Sequence, residues 1–179
     1  MVRLCLLAVI ALAGSACGGS EEAGPTTPTT TATATTAPAD QGLPTAVAET
    51  RDAISHAAIT NDYEALESLL DPETFSYSFG ESGDPIGYWK EQEKNEIPVL
   101  GDYLPMLLHT PHAKADDIYV WPSAAAKEGS EWTARDLQSM RGAGYSAEDI
   151  ASFEELGSYL GRRAGIRPDG TWIYFVEGD

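Results

Sequence analysis

The sequence has few of the residues on which many protein functions depend. It contains two cysteines in 179 residues, Cys5 and Cys17, and both precede Gly18. Residues 46–179 therefore have no thiol. This excludes a disulfide, a thiolate metal site and a cysteine nucleophile from that part of the chain.

Basic residues are also scarce. The chain has 11 Lys and Arg against 28 Asp and Glu, and its net charge is -17. Binding to nucleic acid requires Lys and Arg that displace counterions, so we expect no nucleic-acid partner. The same scarcity disfavours electrostatic docking on anionic lipid. The acidic balance is typical of a protein kept in solution outside the cell, and a cation-binding surface is the alternative.

Long apolar runs are absent except for one, which extends from Leu4 to Ala13. At about ten residues it is too short for a membrane-spanning helix, which needs about 20. Arg3 precedes the run, and small residues separate it from Cys17. A positive residue, a short apolar run and small residues in this order are typical of an export signal.

The segment Leu12-Ala-Gly-Ser-Ala-Cys17 resembles the lipobox of bacterial lipoproteins. Ser15 and Ala16 match the pattern, whereas Gly14 stands where the family usually has Leu, Val or Ile. In that family the cysteine receives a diacylglycerol. The resemblance implies that residues 1–17 are a lipoprotein signal peptide ending at a lipidated Cys17, on the outer face of the cell membrane. An ordinary signal peptide and a secreted product are the alternative.

Residues 18–45 are rich in Thr, Pro, Ala and Gly and have almost no large apolar side chain. Such a segment cannot bury enough apolar surface to offset the entropy lost on ordering. We therefore predict a disordered linker that its prolines bias toward extended conformations. It would act as a spacer between membrane and domain, and its composition also suits O-linked glycosylation.

From Ala46 to Asp179 the pattern is that of a single domain. Apolar spacing predicts two helices, a strand over 75–79, two helices, a strand over 118–121, two helices and a hairpin of strands 159–166 and 171–176. The class is therefore α+β, with a small, mainly antiparallel sheet packed against several helices.

Local signals place several boundaries within this domain. The predicted helix starts are Asn61, Asp84-Pro85, Pro98, and two capping boxes, Thr133-x-x-Asp136 and Ser146-x-x-Asp149. Pro105 is expected to kink or split its helix. The segment Arg167-Pro-Asp-Gly170 predicts the hairpin turn.

Two further resemblances concern this domain. The segment 58–72 resembles the helical opening of nuclear-transport-factor-like and ketosteroid-isomerase-like cones, which implies a cone-shaped pocket. Tyr77-Ser-Phe-Gly80, Tyr119-Val-Trp-Pro122 and Asp169-Gly-Thr-Trp172 are similar to a family of exported bacterial domains common in actinobacteria. That second resemblance brings no known activity and transfers no catalytic residue.

A set of aromatic residues is the main candidate for ligand binding, because rings stack on sugars and on apolar ligands. Core packing is the competing interpretation. Arg162 and Arg163 lie on the predicted penultimate strand, where they could pair with carboxylates on the exposed face of the sheet, and one of them could also meet an anionic ligand. The aromatic candidates are Tyr77, Trp89, Tyr119, Trp121 and Trp172.

No catalytic motif appears in the sequence, so we assign no catalytic residue and expect no cofactor. His109-Thr-Pro-His112 with Asp116-Asp117 comes nearest to a metal cluster. Pro111 breaks the helical spacing of the two histidines, and we interpret the segment as a polar loop rather than a metal site. If the protein is an enzyme, Asp84, His109 and Asp117 are the candidate acids or bases.

These patterns predict a lipid-anchored cell-envelope protein whose domain binds a small ligand, a cell-wall component or a partner protein. The alternative is a small-molecule isomerase or hydrolase with a cone-shaped pocket.

The anchor can be tested by the substitution Cys17→Ala, which removes the thiol that would receive lipid. We expect the protein to move from the membrane fraction to the soluble fraction, because diacylation anchors stably where one chain gives only reversible binding. Immunoblots of fractionated cells measure this, and unchanged membrane retention would contradict the anchor.

Overall fold

A five-stranded sheet forms the centre of the fold. The computed structural model describes residues 42–71 and 73–178. In this part the strands are β1 (Ser76–Ser78), β2 (Ala113–Ala115), β3 (Ile118–Trp121), β4 (Arg163–Ile166) and β5 (Trp172–Val176). Their order across the sheet is β1-β5-β4-β3-β2. The pair β1–β5 is parallel and the other three pairs are antiparallel.

Six α-helices accompany the sheet in the described residues. They are α1 (Thr45–Thr60), α2 (Tyr63–Ser68), α3 (Pro85–Lys94), α4 (Leu104–Leu108), α5 (Ala134–Gly142) and α6 (Ala147–Leu156). A short π-helix, Val99–Tyr103, runs directly into α4. The predicted α+β class with a mainly antiparallel sheet is confirmed.

The main core lies between one face of the sheet and the helices α1, α3 and α4. Trp89 of α3 stacks on Trp172 of β5, with ring centroids 5.9 Å apart and an angle of 18° between the planes. Phe75 meets Trp172 edge-on at 4.7 Å. All three rings are at most 1% exposed. Aromatic pairs of this kind contribute about 0.5–1.5 kcal/mol each beyond the burial of their area.

A second, smaller core lies under α5 and α6. Its buried members are Ala124, Met140, Ile150 and Tyr159, and Phe153 and Tyr145 pack against them. The predicted capping boxes begin both helices, as expected from their sequences.

Asp136 makes the polar contacts that fix the start of α5. Its carboxylate accepts hydrogen bonds from Ser123 Oγ at 2.6 Å, Lys127 Nζ at 2.7 Å and the backbone N–H of Thr133 at 2.8 Å. The side chain is 1% exposed and the ammonium of Lys127 is its ionic partner. Burial by itself would raise the pKa of Asp136, but these hydrogen bonds outweigh burial and hold the pKa well below its ordinary value.

Several local predictions are confirmed. The Asp84 side chain accepts the N–H of Gly87 at 2.7 Å, with Pro85 in the first turn of α3. The turn 167–170 closes the β4–β5 hairpin, and Gly170 adopts the positive φ of 91° that the turn requires. Pro105 does interrupt its helix. Because proline has no N–H and its ring crowds the preceding turn, the chain ahead of it widens into the π-helix.

Three local predictions are wrong. Asn61 does not begin α2; it ends α1 with a left-handed φ of 54°, and Asp62 caps α2 through Ala65 N–H. The strand predicted from Tyr159 begins only at Arg163, because Tyr159 faces the second core. The segment after His112 is not all loop, since Ala113–Ala115 pairs with β3.

The predicted signal peptide with Cys17, and the predicted linker up to residue 41, lie outside the described residues. The first helix starts at Thr45, one residue before the predicted start of the domain. None of the helices in the described ranges has the length and apolar character needed to cross a membrane.

The Asp136 contacts predict a loss of stability in the variant Asp136→Asn, which leaves Lys127 without its ionic partner. We expect a loss of about 2–3 kcal/mol at pH 7, measured by urea unfolding. The folded pKa lies below the ordinary 3.8, so this stabilisation is present above pH 3.8 and disappears as the pH falls further. The difference between wild type and variant should therefore narrow in acid.

The matched control is Asp149→Asn, which alters the equivalent position of the second capping box at an exposed site. It should cost much less stability. Equal losses in the two variants would contradict the role given to the buried contacts of Asp136.

Candidate functional site

A cleft opens at the end of the sheet where the parallel strands β1 and β5 terminate. Its apolar lining consists of Trp89, Ile97, Val99, Phe175 and Val176. Its polar lining consists of Ser78, Tyr88, Gln92, Arg162 and Glu177. The cavity volume is about 60 Å³, which is room for roughly two water molecules.

Arg162 is the cation of this cleft. Its guanidinium carbon lies 4.0 Å from the ring centroid of Tyr103, a cation–π contact. Its Nε lies 3.3 Å from Glu177 Oε2, and the two side chains form an ion pair. Its two terminal amino groups, which carry four N–H donors, make no hydrogen bond to any described residue.

The backbone of Arg162 is held by two tyrosines of the second core. Its N–H donates to the Tyr145 hydroxyl at 2.6 Å, and its carbonyl accepts from the Tyr159 hydroxyl at 2.7 Å. The preceding Gly161 allows this approach, because a Cβ there would lie 2.6 Å from the Tyr159 oxygen and would also overlap Tyr145. We call these two hydroxyls and Gly161 the tyrosine clamp.

Burial raises the pKa of both clamp tyrosines. Their hydroxyls therefore stay protonated throughout the physiological range. The Tyr159 hydroxyl can then remain the donor to Arg162, and Tyr145 can accept without becoming charged.

Ser78 forms another part of the lining in a strained backbone conformation. It has a φ of 54°, which is uncommon for a residue with a side chain. Its Oγ donates to the Tyr88 hydroxyl at 3.2 Å, and its carbonyl accepts the N–H of Glu177 at 2.8 Å. Strain of this kind clusters at functional sites, where neighbouring contacts hold it in place.

The π-helix contributes to the cleft on two sides. Val99 lines the cavity, and the ring of Tyr103 makes a cation–π contact with the guanidinium of Arg162. Single π-helical turns occur frequently at functional sites, because the wider turn displaces side chains from the positions of an α-helix.

The five aromatic candidates are not brought together in one site. Trp89 is the one that lines the cleft. Trp172 is sealed in the core, where its indole N–H donates to Tyr174. Trp121 and Tyr77 are also buried.

Tyr119 belongs to a different region, near the outer edge of the sheet. The His112 ring lies 5.6 Å from Tyr119 and 5.5 Å from Trp121. Burial, and next the positive charges of Arg135 and Arg51, lower the pKa of His112. The neutral imidazole is therefore favoured at this position.

The candidate acids and bases have structural contacts elsewhere. Asp84 caps α3, Asp117 pairs with Lys114 at 2.6 Å, and His109 Nδ1 lies 2.6 Å from the Pro105 carbonyl. Within residues 42–71 and 73–178 no three His, Cys, Asp or Glu residues are grouped to hold a metal ion.

Sequence reasoning singled out Arg162 and Trp89 but missed their companions. Ser78, Gln92 and Tyr103 lie in three separate segments, and only the tertiary fold places them around one cavity. Pro98 and Pro105, which flank the π-helix, were the one local signal of an unusual backbone nearby.

The tyrosine clamp predicts that Gly161→Ala destabilises the fold by about 2 kcal/mol, because the added methyl group overlaps two fixed tyrosines. Thermal unfolding followed by circular dichroism measures this. Gly101→Ala in the π-helix is the matched control, since no atom lies within 4 Å of its added Cβ. Equal stability of Gly161→Ala and wild type would contradict the claim that the two tyrosines are held in fixed positions.

Comparison with known proteins gives no relative from which a function could be transferred. No protein-family model matches the chain, and no curated protein or solved structure is significantly similar to it.

Proposed function

We propose that this protein is a lipid-anchored module of the bacterial cell envelope that binds a small ligand in the cleft between α3, the π-helix and the end of the sheet. The observation that carries the proposal is the fixed position of Arg162. Its guanidinium is stacked on Tyr103, and its backbone is held on both sides by the tyrosine clamp.

Preorganisation is what makes this arrangement suited to binding. An arginine that is free in solution loses side-chain entropy when it meets a ligand, at a cost of about 0.5–1.5 kcal/mol. Arg162 already contacts Tyr103 and Glu177 without a ligand, and its side chain is only 22% exposed. Beside it lie buried Trp89 and Phe175, so the cleft combines an apolar wall with a few convergent polar groups, as small-molecule sites do.

The anchoring part of the proposal rests on the sequence. Cys17 follows a segment that resembles a lipobox, and residues 18–45 have the composition of an extended linker. Together they would hold the domain at the outer face of the membrane while leaving the cleft accessible to solutes.

Binding is favoured over catalysis by the state of the acidic group in the cleft. A catalytic acid usually needs a desolvated carboxyl or histidine within the pocket. Of the described residues that line the cleft, Glu177 is the only carboxylate; its side chain is 45% exposed and is paired with Arg162. This arrangement supports a role for Glu177 in orienting the arginine.

The test is to fill the cleft with the substitution Gln92→Trp, since Gln92 is half-buried in the cavity lining. The purified full chain is titrated with a library of small aromatic and aliphatic compounds. Nuclear magnetic resonance follows the Trp89 indole N–H and the Arg162 amide. We expect shifts in wild type that are lost in Gln92→Trp.

Gln138→Trp is the matched control, because Gln138 is exposed on α5 and does not line the cleft. It should keep the wild-type response. The proposal fails if no compound shifts the two signals, or if the Gln92→Trp variant responds as wild type does.

A further inference from the structure

We infer that the ligand of the cleft is a small organic carboxylate with an apolar body. This inference rests on the proposed function, since it names the chemical class that the same cleft accepts. It is argued from the donors that the cleft offers, the charge around it and the shape of its apolar wall.

The donors suit an anion with two oxygens side by side. Glu177 pairs with Arg162 at its Nε, and the two terminal amino groups make no hydrogen bond to any described residue. These two groups form the end-on edge of the guanidinium, which matches the spacing of the two oxygens of a carboxylate.

The charge of the surroundings sets this cleft apart from the other concave surfaces. One open groove is lined by Glu93, Glu96 and Asp102, and another by Asp116, Asp117 and Asp169 with Arg167. Such surfaces repel anions. In the cleft, Arg162 is shielded from water more than Glu177 is, since their side chains are 22% and 45% exposed. The formal charges of Arg162 and Glu177 cancel, so an anion meets no net repulsion from the cleft lining, unlike at the two acidic grooves.

The apolar wall of the cleft determines the chemistry and the size of the remainder of the ligand. Trp89, Val99 and Phe175 are buried, and Ile97 is 41% exposed although it lines the same cavity. The part of an apolar ligand that extends out of the enclosed cavity would pack on the exposed side chain of Ile97. The volume of about 60 Å³ admits a carboxylate head and the adjoining carbons, but not a large ring system.

The experiment compares carboxylates with their neutral amides on the purified full chain. Benzoate and hexanoate are the anionic probes, and benzamide and hexanamide are the neutral ones. Titrations follow the Trp89 indole N–H and the Arg162 amide by nuclear magnetic resonance. We expect benzoate or hexanoate to bind at least about tenfold more tightly than its amide. A carboxylate accepts charge-assisted hydrogen bonds from both terminal amino groups of Arg162, whereas a neutral amide has one oxygen acceptor and no charge.

The variant Arg162→Gln should remove this preference, so that each carboxylate binds no better than its amide. Arg167→Gln is the matched control, because it removes the same charge from an exposed turn outside the cleft. It should keep the wild-type preference. Circular dichroism and the signals of the second core verify that both variants are folded.

The outcomes separate this inference from the proposed function. If amides and carboxylates bind the cleft equally, or if Arg162→Gln keeps the preference, the carboxylate is wrong and the binding cleft stands. If Arg167→Gln loses the preference as fully as Arg162→Gln, the effect is one of net charge and the inference is again wrong. If no probe of either kind shifts the cleft signals while other compounds of the library do, the inference is wrong and the proposed function stands.

Discussion

The two hydrogen bonds from tyrosine hydroxyls to the backbone of Arg162 join the two cores of this protein. Tyr159 belongs to the cluster under α5 and α6, and Tyr145 packs against both clusters. Their contacts fix the residue that precedes β4, the strand at the middle of the sheet. The position of the guanidinium in the cleft therefore depends on the packing of helices that do not line the cleft. Hydrogen bonds in such a dry setting are costly to lose, because each leaves a buried polar group unsatisfied.

Charge in this protein is divided between a solvated majority and a few fixed groups. Most of the 28 acidic residues make the surface negative, whereas Asp136 is buried and fully hydrogen-bonded. Arg51 provides the opposite case. It stands on the inner stripe of α1 at 4% exposure and pairs with the exposed carboxylate of Asp52. Buried ions of either sign are tolerated only with such partners.

Features that depend on neighbours in sequence could be predicted, and features that depend on tertiary contacts could not. The capping boxes at Thr133 and Ser146 and the turn before Gly170 involve residues a few positions apart, so their chemistry is legible in the sequence. The predicted cap of α2 is one residue too early, since Asn61 and Asp62 are both good caps and only the left-handed end of α1 distinguishes them.

Tertiary burial limits what the apolar pattern can predict. The pattern around Tyr159 resembles a strand because burial in a second core gives the same apolar spacing as burial in a sheet. The aromatic residues show the same limit of sequence-based prediction. Trp121 and Trp172 are buried in the core, whereas Trp89 lines a cavity that is formed only by the tertiary fold.

The parallel pairing of β1 with β5 has a consequence for the order in which the domain forms. Ser76 pairs with Tyr174, roughly a hundred residues further along the chain, so this contact closes a long loop that contains every described element between β1 and β5. Contacts of such long range are slow to form and arise after the local helices and hairpin. Because the cleft lies where these two strands end, it is completed late in folding. For a chain that emerges from its N-terminus, β1 must wait for β5, and the cleft forms only when β5 is in place.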